Sequence, residues 1–234
     1  MKVLALETSG MAGSVALWTG APATEPRQWL LPTEMRSART LGPAIEQALV
    51  EFGWKPSEIE LVAVTSGPGS FTGLRVGVVT AKAFAYAVGC PVIGVNTLEV
   101  ISRQAFNGDC LAVTATMDAQ RGDLFVARFD PLRATPPTTS IQSADAWLSA
   151  LPANESVTGP GLEKYIAKFP KQVCVVEQNR WQPLASTVAL IGLEMFLKSG
   201  DIALFHPFAL TPQYFRRTAA EEQWEKRHST GNLP

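Results

Sequence analysis

The chain predicts an α/β fold with a parallel sheet component, on three observations. Short apolar runs with the character of buried strands alternate with longer segments of helical periodicity. A strand-like run at 61–65, a glycine-rich turn, an Ala/Val-rich helix to about 87 and a strand at 91–95 form one βαβ unit. The two halves also share a crude strand, hairpin and helix order, which hints at a duplicated architecture.

Residues 2–6 and 14–18 read as short strands, and the small polar segment 8–13 supplies turn chemistry for a hairpin between them. Residues 27–31 add a third strand. Over 37–52, Leu41, Ile45, Leu49 and Phe52 fall on one side of a helix; Pro43 is tolerated in the first turn and Gly53 stops the helix. Lys55-Pro56-Ser57 reads as a loop. After the βαβ unit, Asn96-Thr97-Leu98-Glu99 caps a helix running to about Phe106. Strands at 111–116 and 123–129 flank a second tight turn, Asp118-Ala119-Gln120-Arg121-Gly122. The Pro- and Thr-rich segment 130–140 reads as a surface loop or domain seam. Helices are expected at 144–151 and 162–169, a strand at 173–176, and an amphipathic helix at 186–198 closed by Gly200. From Thr218 onward the chain is polar, with a short helix and then a loose end expected.

The bulk properties narrow the function. With 234 residues, 46% hydrophobic and 18% charged, this is the composition of an ordinary globular protein. A formal net charge of −1 provides no global basic field for nucleic acid, so an RNA role needs a local patch or a partner. The N-terminal apolar run ends at Glu7, too short for a signal-peptide core or a membrane span. Cys90, Cys110 and Cys174 are odd in number and lack a Cys-x-x-Cys spacing, which points to reduced thiols and a cytoplasmic location.

The most specific stretch is Ser66-Gly67-Pro68-Gly69-Ser70-Phe71-Thr72-Gly73-Leu74-Arg75-Val76-Gly77. A strand, a glycine turn and a helix start aim N–H groups at an anion. The string lacks the Gly-Lys-Ser/Thr ending of a nucleotide P-loop, and its third glycine falls one residue late for the dinucleotide fingerprint. Gly67 and Gly69, with the acid and hydroxyls of Glu7, Thr8 and Ser9, remain as phosphate-turn candidates beside the plainer reading of two satisfied turns. Behind the string, Gly73, Gly77, Ala81 and Ala85 recur every four residues as a ridge almost without side chains. Such a ridge suits close approach, either to the chain's own sheet or to a partner helix. Val79, Ala83, Phe84 and Tyr86 make the helix apolar on other faces too, and this favours the partner reading.

Catalytic residues are not expected. His206 and His228 lie 22 positions apart, and neither a metal-binding spacing nor a nucleophile elbow is present. Asp118 with Arg121 reads as a structural pair in an exposed turn. Arg36, Arg39, Arg216 and Arg217 read as solvated charges. The result is a folded scaffold with no catalytic group and no metal site.

The residues Leu4-Ala5-Leu6-Glu7-Thr8-Ser9, the string at 66–77, Pro91 to Glu99, Met117 to Gly122 and Pro212-Gln213-Tyr214-Phe215-Arg216 resemble the TsaB (YeaZ) family. The likeness is dense over 1–125 and sparse through 130–205. It implies an actin/sugar-kinase-like (ASKHA) fold with two related αβ subdomains: 1–108 with the partner interface, a smaller 109–217, and a polar tail at 218–234. It implies a non-catalytic subunit of the bacterial apparatus that makes N6-threonylcarbamoyladenosine (t6A) at position 37 of tRNA. The catalytic paralogue TsaD would pair with the chain as a heterodimer, the ATPase TsaE would join, tRNA would be met through the complex, and the chain alone would form a homodimer. No membrane is involved on this resemblance. It implies no cofactor of its own, with ATP or ADP at the interface of the complex. Carried onto this sequence, the partner surface comprises Leu41, Ile45, Leu49, Phe71, Leu74, Gly77, Val78, Ala81 and Ala85. Rival readings are an ATP-binding enzyme of the same fold and a glycoprotease. Two departures stand out: Glu7 where many relatives carry Asp, and Arg36-Ser37-Ala38-Arg39 where a His-Ser-rich approach is usual.

Overall fold

In a computed structural model the described residues are 1–32, 37–106, 112–130, 137–216 and Trp224. Two five-stranded sheets share one plan. In the first, β1 (Val3–Glu7) pairs antiparallel with β2 (Ser14–Trp18), which pairs antiparallel with β3 (Arg27–Leu30). On its other side β1 pairs parallel with β4 (Leu61–Gly67), which pairs parallel with β5 (Val92–Asn96), giving the order β3-β2-β1-β4-β5. The second sheet repeats this strand for strand. β6 (Val113–Asp118), β7 (Asp123–Phe129) and β8 (Ser140–Ser143) form the antiparallel meander, and β9 (Ser156–Thr158) and β10 (Cys174–Val175) follow in parallel. The duplication hinted at by the sequence is therefore present in the topology.

Every residue of β1, β2 and β4 is buried, which explains why these strands read as continuous apolar runs. One face of the first sheet packs Leu4, Leu6 and Leu17 against α1 (Ser37–Phe52) and α2 (Phe71–Val88). Its other face packs Val3, Ala5 and Ala63 against Val188 and Ile191 of α5 (Ala185–Ser199). Gly192 permits that approach, since a Cβ there would lie 2.5 Å from the Ala63 Cβ. The second sheet packs β6 and β7 against Leu98, Ile101 and Ala105 of α3 (Thr97–Ala105). Its far side is closed by Trp147 and Leu148 of α4 (Ala144–Ser149) and Leu162 of a 3₁₀ segment, Pro160–Lys168.

α3 follows the last strand of the first sheet yet packs on the second. α5 follows the second sheet yet packs on the first. A cut at residue 108 would separate α5 from the sheet it covers.

The helix ends follow local chemistry. Ser70 caps α2 by accepting the Gly73 N–H, Asn96 caps α3 through the Leu98 and Glu99 N–H groups, and Gly89 and Gly200 end α2 and α5 in left-handed conformation. The sequence reading misses β8 and β9, one polar and edge-exposed, the other only three residues long. The helix expected at 162–169 is 3₁₀, begun at Pro160, and the strand expected at 173–176 shrinks to two residues. Arg36, Cys110, Arg217, His228 and the tail expected at 218–234 lie outside the described residues, Trp224 excepted.

Candidate functional site

The glycine string and the N-terminal turn form one joint. Thr8 and Ser9 leave the end of β1 and lie directly over the loop that follows β4. Ser70 donates its N–H to the Ser9 carbonyl at 2.8 Å, and Thr8 Oγ1 donates to the Gly73 carbonyl at 2.8 Å. A Cβ on Gly69 would sit 2.6 Å from the Ser9 Cβ, one on Gly73 1.9 Å from the Thr8 carbonyl oxygen, and one on Gly77 2.1 Å from Thr8 Oγ1. The glycines exist to let the chain's own turn come close. At Gly67, with φ +133°, a Cβ would meet the Gln213 carbonyl oxygen at 2.4 Å.

Glu7 lies at the centre of this joint with no solvent exposure. Its Oε1 accepts from the Ser9 N–H at 2.7 Å, from Ser9 Oγ, from the Gly10 N–H at 3.3 Å and from Thr65 Oγ1 at 3.4 Å. Its Oε2 is buried without a partner among the described residues. Burial pushes the carboxyl up to about 7, against the lowering effect of those hydrogen bonds. The phosphate-turn candidates Glu7, Thr8, Ser9, Gly67 and Gly69 are thus brought together. The space above Gly69 and Gly73 and the Ser70 N–H are taken by the turn itself, so this geometry does not fit a phosphate cradle. Among the described residues no three His, Cys, Asp or Glu side chains gather as a metal-holding group.

The expected partner residues need correcting at the level of side chains. Leu41, Ile45, Leu49, Leu74, Gly77, Val78, Ala81 and Ala85 are buried inside the chain, and the ridge of small residues faces the N-terminal turn and the first sheet. The α2 helix reads as apolar all round because the sheet, α1 and a C-terminal strap each cover part of it. What remains exposed on α2 is a stripe of Thr72, Arg75, Val79, Ala83 and Tyr86, with Ala87 beside its end; Val79 is 63% and Tyr86 66% exposed. Val50 of α1 is 74% exposed. Phe71 is half-buried, its ring 4.7 Å from that of Tyr214.

The strap, residues 206–216, is the element beside the glycine string that sequence reasoning missed. Its Phe208 ring lies 5.5 Å from Tyr86, its Leu210 carbonyl accepts from Lys82 Nζ at 2.8 Å, and its Gln213 N–H donates to the Ser66 carbonyl at 2.7 Å. Arg75 donates from Nε to Tyr214 Oη at 3.0 Å and lays its guanidinium 3.9 Å from the Phe71 ring centre. The strap then crosses to the second sheet, where Phe215 meets Phe125 and Arg216 binds the Asp123 carboxylate and the carbonyls of Ala119 and Gln120. Gln120 and Arg121 are left-handed non-glycine residues, φ 66° and 58°, so Arg216 braces a strained turn. Arg216, expected as a solvated charge, is a clasp. Asp118 in turn is held by Lys164 Nζ at 2.6 Å and accepts the Gln120 N–H at 2.8 Å, where Arg121 was expected. The only signal for the strap was the Pro212 to Arg216 motif.

Comparison with known proteins places the chain. The family model described as "TsaD: tRNA N6-adenosine threonylcarbamoyltransferase" matches residues 32–193. The Escherichia coli "tRNA threonylcarbamoyladenosine biosynthesis protein TsaB" is 35% identical over 131 residues, 55% of this chain and 55% of that protein. The Bacillus subtilis protein of the same name is 24% identical over 235 residues, 96% and 98% of the two chains. The chain belongs to the TsaB/YeaZ branch of the TsaD family. An uncharacterised Mycobacterium tuberculosis protein is 38% identical over 185 residues, 79% of this chain and 77% of that one. The solved structure "YeaZ from Pseudomonas aeruginosa" superimposes with a TM-score of 0.75 at 22% identity, covering 92% of this chain and 99% of that one. The duplicated sheets are therefore the actin/sugar-kinase-like plan of the TsaB/YeaZ proteins.

Proposed function

We propose that the chain is the non-catalytic partner subunit of the bacterial t6A37 apparatus, binding and activating TsaD together with TsaE. The observation that carries this reading is the exposed stripe of α2, Val79, Ala83 and Tyr86, on a helix otherwise packed, beside a joint whose acid and glycines are consumed internally. An apolar helix face left in water on a protein of this family calls for a cover. Support comes from the TsaD family match and from two relatives whose names assign them to threonylcarbamoyladenosine biosynthesis. On this reading TsaD covers the α1/α2 face in the complex, and a second copy covers it when the chain is alone. ATP or ADP belongs to the interface of the complex, tRNA is met through the complex, and the work is done in the cytoplasm. No helix among the described residues is long and apolar enough to cross a membrane.

Copurification with TsaD and TsaE of the same organism, with t6A in tRNA read by mass spectrometry, tests the reading. Val79→Asp is expected to abolish association while leaving the melting temperature within about 2 °C, because exposed substitutions seldom change stability by more than about 0.5 kcal/mol. Failure of the wild-type chain to bind TsaD, or micromolar ATP binding by the isolated chain in calorimetry, would overturn it.

A further inference from the structure

Arg75 is the one charged residue of the exposed α2 stripe, and the strap's Tyr214 meets it through a hydrogen bond and its ring. Its Nε is engaged by Tyr214 Oη at 3.0 Å, and its guanidinium rests 3.9 Å from the Phe71 ring centre and 5.8 Å from that of Tyr214. Nη1 and Nη2 donate to no acceptor among the described residues, and no carboxylate there lies within ion-pair distance of Arg75. An exposed arginine ordinarily loses rotamer freedom when it docks. Here that loss has already been met by the stack and the hydrogen bond. What projects is a fork of two unused donors, whose planar geometry matches a carboxylate. One turn along the same stripe lies Val79, and beyond it Ala83 and Tyr86, so the fork stands at the end of an apolar strip.

We infer that Arg75 is the polar anchor of the partner-binding face, receiving an Asp or Glu carboxylate from a partner helix whose apolar side lies along Val79, Ala83 and Tyr86. The inference rests on the docking of TsaD proposed above and adds the residue that sets its register. Tyr214 is a positioning residue: it acts by holding the fork. The strap thereby belongs to the interface, although it lies more than a hundred residues from α2 in sequence.

The affinity of purified TsaD for the wild-type chain and for Arg75→Ala, Arg75→Lys and Tyr214→Phe, each measured at low and high salt, tests this. Arg75→Ala is expected to weaken binding at least tenfold and to flatten the salt dependence, since an interfacial charge pair contributes both affinity and screening. Arg75→Lys recovers only part of the affinity, because an ammonium cannot offer the two-donor fork. Tyr214→Phe keeps the stack and loses about threefold through the freed Nε, in line with one hydrogen bond. Arg75→Glu is expected to bind a TsaD variant carrying Arg in place of its docking acid. Unchanged melting temperatures exclude a folding cause. If Arg75→Ala binds TsaD with wild-type affinity and salt slope while Val79→Asp does not bind, the anchor is wrong and the docking face stands. If Arg75→Ala leaves TsaD binding intact and lowers only the affinity of the complex for tRNA, the fork serves an RNA phosphate and the inference is likewise overturned. If the wild-type chain does not bind TsaD, the underlying reading falls with it.

Discussion

Replacing Gly73 by Ala separates the two roles that a ridge of small residues can have. A Cβ at this position would stand 1.9 Å from the Thr8 carbonyl oxygen, where ordinary contact begins at 3.4 Å. The obstacle is backbone, so no rotamer change relieves it. The first turn of α2 must lift from the N-terminal turn, stretching the buried bond from Thr8 Oγ1 to the Gly73 carbonyl, now 2.8 Å. Overpacking of this kind costs about 1–3 kcal/mol. Loss of the hydrogen bond adds about 1 kcal/mol, and the better helix propensity of Ala returns about 1 kcal/mol. A net loss of about 1–3 kcal/mol lowers the melting temperature of a domain this size by about 2–12 °C. Gly42 in α1 provides the control, because a Cβ there meets nothing within 4 Å. Gly42→Ala should raise stability by about 0.5–1 kcal/mol. Thermal unfolding followed by circular dichroism reads both. A Gly73→Ala chain melting within a degree of wild type would refute the packing argument and return the ridge to an external partner. By the same geometry, Gly77→Arg or Ala81→Arg would report on folding and tell nothing about docking.

Glu7 gives a pH dependence of definite sign. Its carboxyl is raised from 4.5 to about 7 in the folded chain, so the fold holds a proton that the unfolded chain releases. The associated stability is complete below about pH 4.5 and is lost as pH rises through about 7, a change of about 3 kcal/mol. Denaturant unfolding should show the wild type losing stability from pH 5 to pH 8 and Glu7→Gln holding nearly constant; parallel profiles would disprove the assignment. Arg216→Ala removes the clasp and should speed amide exchange at Gln213 at least tenfold while amides in the middle of α1 stay protected; unchanged exchange at Gln213 would show that the strap holds without it. Cys90 is buried, with burial pushing its thiol up to about 11, whereas Cys174 is exposed. Peptide mapping after brief alkylation at pH 7.5 should find Cys174 modified and Cys90 intact until the chain is denatured, the reverse pattern being incompatible with this fold.

Much of the first sheet was legible because its strands are buried on both faces and so read as uninterrupted apolar runs between unmistakable turns. The second sheet was less so. Ser140–Ser143 pairs at an exposed edge and carries no hydrophobic signal, and Ser156–Thr158 is too short to show a period. The candidate site was legible in composition and misread in direction. Apolar residues on several faces of α2 signal that several things cover it, but they do not say whether the covers belong to the same chain. Here Thr8, α1 and the strap supply most of them, so Gly77, Ala81 and Ala85 turn inward and Val79 and Tyr86 turn out. Arg216 escaped notice because its three acceptors lie nearly a hundred residues earlier. A charge whose partners are that distant has no local signature.

The exchange of α3 and α5 between the two sheets bears on how the chain is made. As the polypeptide leaves the ribosome, β1 to β5 are complete by residue 96, yet the face formed by Val3, Ala5 and Ala63 waits for Val188 and Ile191. Contacts of such long sequence separation form late and slowly. The first half therefore emerges with an uncovered apolar face and gains its cover only when nearly the whole chain has been translated. A fragment ending near residue 108 should consequently be insoluble when expressed alone, and should regain solubility when the remainder of the chain is produced beside it.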